Sequence, residues 1–206
     1  MADQEGIQSR LNNIRSVEPI LEAMRTISLG SWQSALNRHH FLGRYSERLA
    51  GILGALAPRL GAHRGARPVS RSETVEVLVM GSERGLCGAF NSTLIQHADS
   101  VLDGYAASGQ DVRLVVMGSR AKRGLERLGR TLAWFRPLPM TALPSVDLAS
   151  ELTSSWLQRY EAHEIDAVFV IYNAYRDSRG YEPAVTRLIP PSLPAPTGVN
   201  PGWQAP

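Results

Sequence analysis

Apolar residues recur at Ile7, Leu11, Ile14, Val17, Leu21, Met24 and Ile27, in steps of three and four. That spacing describes a helix with one greasy stripe, because a period near 3.6 keeps those side chains on one side. The pattern continues more loosely through Trp32, Leu36, Leu42, Leu49 and Leu56. It closes in APRLGAHRGARP, where Pro58, Gly61, Gly65 and Pro68 end it. Roughly fifty helical residues would span about 80 Å, more than the width of a small domain, so the stripe must pack on something else. Pro19 and Gly30 interrupt the pattern. Proline removes one helical donor and crowds the carbonyl four residues back, so a bend is expected there.

From Val75 the period changes. VEVLVMG (75–81), VRLVVMG (112–118) and DAVFVIYNAYR (166–176) are near-continuous apolar runs rich in β-branched residues, the signature of strands buried on both faces. Helical patterns separate them: NSTLIQHADSVLDGYA, SRAKRGLERLG and VDLASELTSSWLQRYEAHEI. Alternating strand and helix predicts an α/β fold, a parallel-rich, Rossmann-like sheet with helices on both faces, carried behind the long N-terminal coiled-coil-forming helix. TLAWFRPLP and PAVTRLI read as edge strands with prolines at their margins. The expected organisation is a helix over 1–67, a globular domain over 68–190 and a proline-rich tail over 191–206.

Composition narrows the function classes. With 43% hydrophobic residues in 206, the chain can bury a real core. A single cysteine excludes an intramolecular disulfide and a multi-thiolate metal site, which suits a reducing compartment. No apolar run approaches the roughly 20 residues that span a bilayer, and the start MADQEGIQSRLNNIR lacks an apolar signal region. The net charge is +3, and the excess sits early: residues 1–71 hold ten arginines against five acids. Those arginines are spread through a helical pattern between acids and apolar residues, which argues for a solvated helix face rather than nucleic-acid binding.

The stretch VLVMGSERGLCGAFN, residues 77–91, raises the question of chemistry. It is echoed by LVVMGSRAKRG: a buried strand, then Met-Gly-Ser, then a charged turn into a helix. Such turns bind ligands in doubly wound folds because helix N-termini offer free N–H groups. Gly81, Gly85 and Gly88, however, are spaced G-x-x-x-G-x-x-G, which matches no dinucleotide fingerprint, and no G-x-x-x-x-G-K-[ST] occurs. Cys87 beside Arg84 could be a nucleophile, but His39, His40, His63, His97 and His163 form no motif with it. The His39-His40 pair lacks a third ligand at metal spacing. No cofactor, metal or catalytic residue is expected, and the glycines read as permitting tight turns and close helix-to-strand packing. The rival reading is a stand-alone α/β nucleotide-binding protein or enzyme using the GSERGLCGA turn.

The long striped helix followed by a strand and Ser-Glu-Arg-Gly-Leu-Cys-Gly-Ala-Phe-Asn resembles the gamma subunit of F-type ATP synthases, in which the segment reads [ST]-D-R-G-L-C-G-G-L-N. Arg84, Gly85, Leu86, Cys87, Gly88 and Asn91 match, while Glu83, Ala89 and Phe90 depart. AMRTIS (23–28), VMGSRAKR and YNAYRDSRGYEPAVTRLIP resemble further family segments, in collinear order from about Ile7 to Pro194. The resemblance implies a non-catalytic central-stalk rotor that couples ion flow to ATP synthesis or hydrolysis. Its implied partners are the alpha and beta subunits of the catalytic ring, the epsilon subunit and the membrane c-ring, with no nucleic acid and no transmembrane segment of its own. Its implied place is peripheral, on the cytoplasmic side of a bacterial cell membrane. The turn then becomes a structural corner. The stripe through Ile14, Leu21, Met24 and Ile27 would pack on a partner helix, with Arg15 and Arg25 on the opposite face toward the catalytic loops. Pro19, Glu22 and Ser31 stand where the family usually carries lysines, which points to a divergent or alternate F-type ATPase. The family's shaft takes a second helix from the C-terminus, and with none before Pro206 the resemblance implies a fragment, a frame-disrupted gene or a shortened paralogue, the fragment being the favoured expectation.

Overall fold

The structure, a computed structural model, describes residues 2–56, 73–139, 143–176 and 180–191. The chain divides into two compact units between Leu49 and Ala50. The expected domain boundary at 67/68 and the tail after Pro191 fall outside the described residues.

Helix α1 runs unbroken from Ala2 to Leu56 with Pro19 inside it. Neither Pro19 nor Gly30 ends the helix. Thr26 and Ser34 donate their hydroxyls to the carbonyls of Glu22 and Gly30, four residues back, at 3.1 and 3.0 Å. Several of its large apolar side chains are in solvent: Ile14, Leu21, Ile27 and Phe41 are all more than half exposed.

The second unit is a five-stranded sheet. In chain order, β1 (Thr74–Met80), α2 (Phe90–Ala107), β2 (Asp111–Met117), α3 (Ser119–Arg127), β3 (Trp134–Arg136), α4 (Val146–Glu161), β4 (Ala167–Tyr175) and β5 (Tyr181–Ile189) follow α1. The strand order is β3-β2-β1-β4-β5; the first four are parallel and β5 is antiparallel to β4. Both predicted edge strands are found at the edges. Pro183 lies in β5, where a residue without an N–H is tolerated.

Strand alternation splits the core in two. Val75, Val77 and Val79 of β1 meet Leu94, Ala98 and Leu102 of α2 and Ala121 and Leu125 of α3. Leu78, Val115, Met117, Val168 and Val170 meet Trp156 of α4 on the other face. Glu76 is the polar exception on that face, at 4% exposure. It accepts a bond from Trp156 Nε1 at 2.6 Å and pairs with Arg159 Nη1 at 2.6 Å, so its charge is matched where it is buried. Ser145 caps α4 by accepting from the Leu148 N–H at 3.2 Å.

Candidate functional site: the paired Met-Gly-Ser turns

The two echoed turns meet at the carboxyl end of neighbouring strands β1 and β2. Gly81 N–H donates to the Met117 carbonyl at 2.9 Å, and Arg120 N–H to the Ser82 carbonyl at 3.0 Å. Glycine is required by contact: a Cβ on Gly81 would stand 2.4 Å from the Ala121 Cβ, and one on Gly118 would stand 2.7 Å from the Gly81 carbonyl oxygen. Gly118 also has φ +95°, a conformation that L side chains rarely adopt.

Within the motif, Asn91, on the first turn of α2, organises the loop. Its Oδ1 accepts from Ser82 N–H at 3.0 Å, and its Nδ2 donates to Ser82 Oγ at 2.8 Å and to Cys87 Sγ at 3.1 Å. Gly88 holds φ +57° and so turns the chain into α2. Gly85 lies against Arg120, whose Cζ would be 2.6 Å from an added Cβ. Leu86 projects into solvent at 89% exposure, and Arg84 is exposed. Asn173 of β4 ties the start of α2 to the sheet by donating to the Phe90 carbonyl at 2.8 Å. The six motif residues therefore form one corner, with Leu86 and Arg84 at its tip.

Glu83 was seen in the sequence only as a departure from the motif, and the structure gives it the central bracing role. Its carboxylate accepts from Ser119 N–H at 3.0 Å, from Leu138 N–H at 3.1 Å and from the Ser119 hydroxyl. The Ser119 hydroxyl bond, and less strongly the Ser119 and Leu138 N–H groups and the Arg123 charge, outweigh partial burial and hold the Glu83 carboxyl below the usual carboxylate range. Gly118 offers α3 no side-chain cap, so Glu83 caps that helix from the neighbouring turn. The position where a phosphate would sit on the α3 N-terminus thus already holds a carboxylate. The repeated Met-Gly-Ser was the available signal, since two equal turns on adjacent parallel strands face each other.

Cys87 is partly exposed, and the thiol contacts Asn91, Ser82 and the Arg84 carbonyl. None of these is a base able to take its proton. His39 and His40 are exposed on α1. Among the described residues no group of three His, Cys, Asp or Glu could hold a metal ion, and no helix is long and apolar enough to cross a membrane.

The residues assigned to partner contact all lie on α1. Arg15, Leu21, Arg25 and Ile27 are exposed and Met24 is half-buried. Helical geometry corrects one placement: Arg25 follows Leu21 by four residues, which is only about 40° round the helix, so it flanks the stripe instead of opposing it. Arg15 is about 120° from Leu21 on the same reckoning.

Comparison with known proteins agrees with this architecture. The family profile described as ATP synthase matches residues 3–204. The ATP synthase gamma chain of Phenylobacterium zucineum is 26% identical over 200 residues, covering 95% of this chain and 68% of that protein. That of Synechococcus elongatus is 28% identical over 197 residues, covering 92% of this chain and 61% of that one. The chain therefore spans roughly two thirds of the length of these relatives. In fold it is similar to a chain in the central stalk and c-ring structure of the Tetrahymena thermophila mitochondrial ATP synthase, with a TM-score of 0.60 at 18% identity, over 83% of this chain and 72% of that one. A long helix followed by a mixed sheet, the RGLCG corner and a profile match across both units lead to one conclusion: the chain belongs to the ATP synthase gamma-chain family.

Proposed function

We infer that this chain is a rotor part of an F-type ATP synthase, a non-catalytic central-stalk subunit that couples ion flow to the nucleotide chemistry of an alpha-beta ring. The observation that carries this reading is the family match from residue 3 to 204, which takes in the long helix and the sheet together. The Glu83 carboxylate on the α3 N-terminus disfavours an anion there, and none of the groups touching the Cys87 thiol is a base, which disfavours a catalytic thiol.

In the rotor reading α1 supplies the shaft face. Leu21, Met24 and Ile27 would pack on a partner helix, and Arg15 would face the ring. An asymmetric shaft acts by touching chemically identical sites differently: each difference of about 1.4 kcal/mol in contact energy alters a site's nucleotide affinity tenfold. Alpha, beta and epsilon subunits and the c-ring are the proposed partners, and the proposed place is the cytoplasmic face of a bacterial membrane.

Co-expression with the cognate alpha and beta subunits tests this. The chain is expected to co-purify with the ring, and the isolated chain is expected to show no saturable ATP or ADP binding by calorimetry. A soluble chain that never enters the ring, or one that binds nucleotide with micromolar affinity, would overturn the rotor assignment.

A further inference from the structure

On the sheet face covered by α4, the register sets Arg113 of β2 directly opposite Glu76 of β1. Opposite charges on neighbouring strands of one sheet face attract each other. Here Glu76 is already taken by Arg159 and by the Trp156 indole. Arg113 is exposed and, among the described residues, makes no hydrogen bond or ion pair. It stands over a cleft of about 380 Å³ whose walls also include Trp134, Ser155, Trp156 and Arg159. Glu151, the other acid at the cleft, is held by Arg136 at 3.0 Å. The cleft therefore combines one uncommitted guanidinium, an indole wall at Trp134 that is 37% exposed, and a hydroxyl.

We propose that this cleft is a docking pocket for a polypeptide segment of a partner protein that places a carboxylate next to an apolar side chain. The charge argument selects a carboxylate: the guanidinium fork matches its two oxygens, and every other charge in the cleft is paired. The indole wall selects an apolar neighbour, and the volume lies at the small end of ligand pockets, enough for one or two side chains. The edge selects a polypeptide. Trp134 belongs to β3, which ends the sheet, so the outer side of β3 has no strand neighbour among the described residues. A partner segment can run along that edge while its acidic side chain enters the cleft. Exposed Trp and Arg side by side are also the residue types that dominate binding hot spots. The surface lies wholly within the sheet unit and does not involve α1, so its test is independent of the rotor assignment.

The test uses the full chain and three probes: the capped dipeptide acetyl-Phe-Glu-amide, its neutral counterpart acetyl-Phe-Gln-amide, and benzoate as a free acid. In two-dimensional NMR the Glu peptide is expected to shift the Trp134 and Trp156 indole resonances saturably and leave Trp32 unmoved. The Gln peptide is expected to bind about tenfold more weakly or worse, the size of one lost charge-assisted contact. Arg113→Gln should weaken the Glu peptide to a similar degree, and Arg113→Lys should restore part of the binding. Equal binding of the two peptides, unchanged binding to Arg113→Gln, or no saturable shift would each overturn the proposal. Benzoate binding as tightly as the Glu peptide would overturn the polypeptide occupant and favour a free small acid. The peptide comparison needs no variant, so it decides the matter even if a substitution disturbs folding.

Discussion

Replacing Asn91 by alanine tests whether the RGLCG corner is held as a structural part. The substitution removes three bonds: the acceptor for Ser82 N–H at 3.0 Å and the donor to Ser82 Oγ at 2.8 Å and Cys87 Sγ at 3.1 Å. The two conventional bonds contribute about 0.5–1.5 kcal/mol each, and the sulfur contact less. Ser82 N–H is partly buried and would be left without its acceptor, which adds to the loss, whereas water reaching the opened corner subtracts from it. The expected cost is about 2 kcal/mol, or a fall in Tm of roughly 6–10 °C for a domain of this size. Asn91→Asp keeps the acceptor and loses the donor, so it should fall between wild type and alanine. Thermal melts followed by circular dichroism, with urea titration for ΔG, measure both. An Asn91→Ala variant that melts with the wild type would refute the reasoning, because the corner would then be held by something other than these bonds.

Four further outcomes follow from the same geometry. Gly81→Ala should destabilise by about 1–3 kcal/mol through its clash with the Ala121 Cβ, whereas Gly85→Ala, which meets only the end of the Arg120 side chain, should cost markedly less; the two melts compared side by side check this. The Glu83 carboxyl is lowered in the fold, so its stabilisation is complete above the unfolded carboxylate range and is lost as pH falls through its folded value; the Tm gap between wild type and Glu83→Gln should therefore shrink on going from neutral pH to about pH 3. Cys87→Ser should leave coupled ATPase activity of a reconstituted complex largely intact, and loss of activity at unchanged Tm would revive a catalytic thiol. A gamma-family C-terminal helix added in trans should protect α1 amides from hydrogen exchange and lower self-association by light scattering, since Leu21 and Ile27 are exposed apolar side chains; strong protection in the monomer before addition would oppose this.

Much of the architecture was legible because burial on two sides leaves a plain mark. Val75, Val77 and Val79 alternate with Leu78 and Met80, so β1 reads as a near-continuous apolar run broken only by Glu76, and Pro183 marks β5 as an edge. The RGLCG corner was legible as a turn from Gly88 and as a family motif from its residue order. What could not be read were the contacts that close over long sequence distances. Glu83 reaching Ser119 and Leu138 depends on two loops meeting, and a carboxylate in a charged turn looks solvated until the strand order is known. Glu76 in an apolar strand was invisible for the same reason, since its partners Trp156 and Arg159 lie some eighty residues on. The position of Arg25 beside the stripe was available from helical spacing and needed only the angle.

The placement of β1 has a mechanical consequence. Among the described residues it is the first strand after the long helix, yet it lies in the middle of the sheet, paired in parallel over seven positions with β2 and six with β4. A force applied to the chain ahead of Thr74 runs along the axis of β1 and loads both ladders in shear, so many hydrogen bonds must yield together instead of one at a time. An edge strand pulled from one side would unzip bond by bond. Extending the sheet unit in an optical trap between Thr74 and Tyr175, which lie at opposite ends of the paired β1 and β4 strands, should therefore meet its highest resistance at the shearing of that ladder, and the Tm of a variant should not predict that force, since rupture follows the unfolding rate rather than the equilibrium.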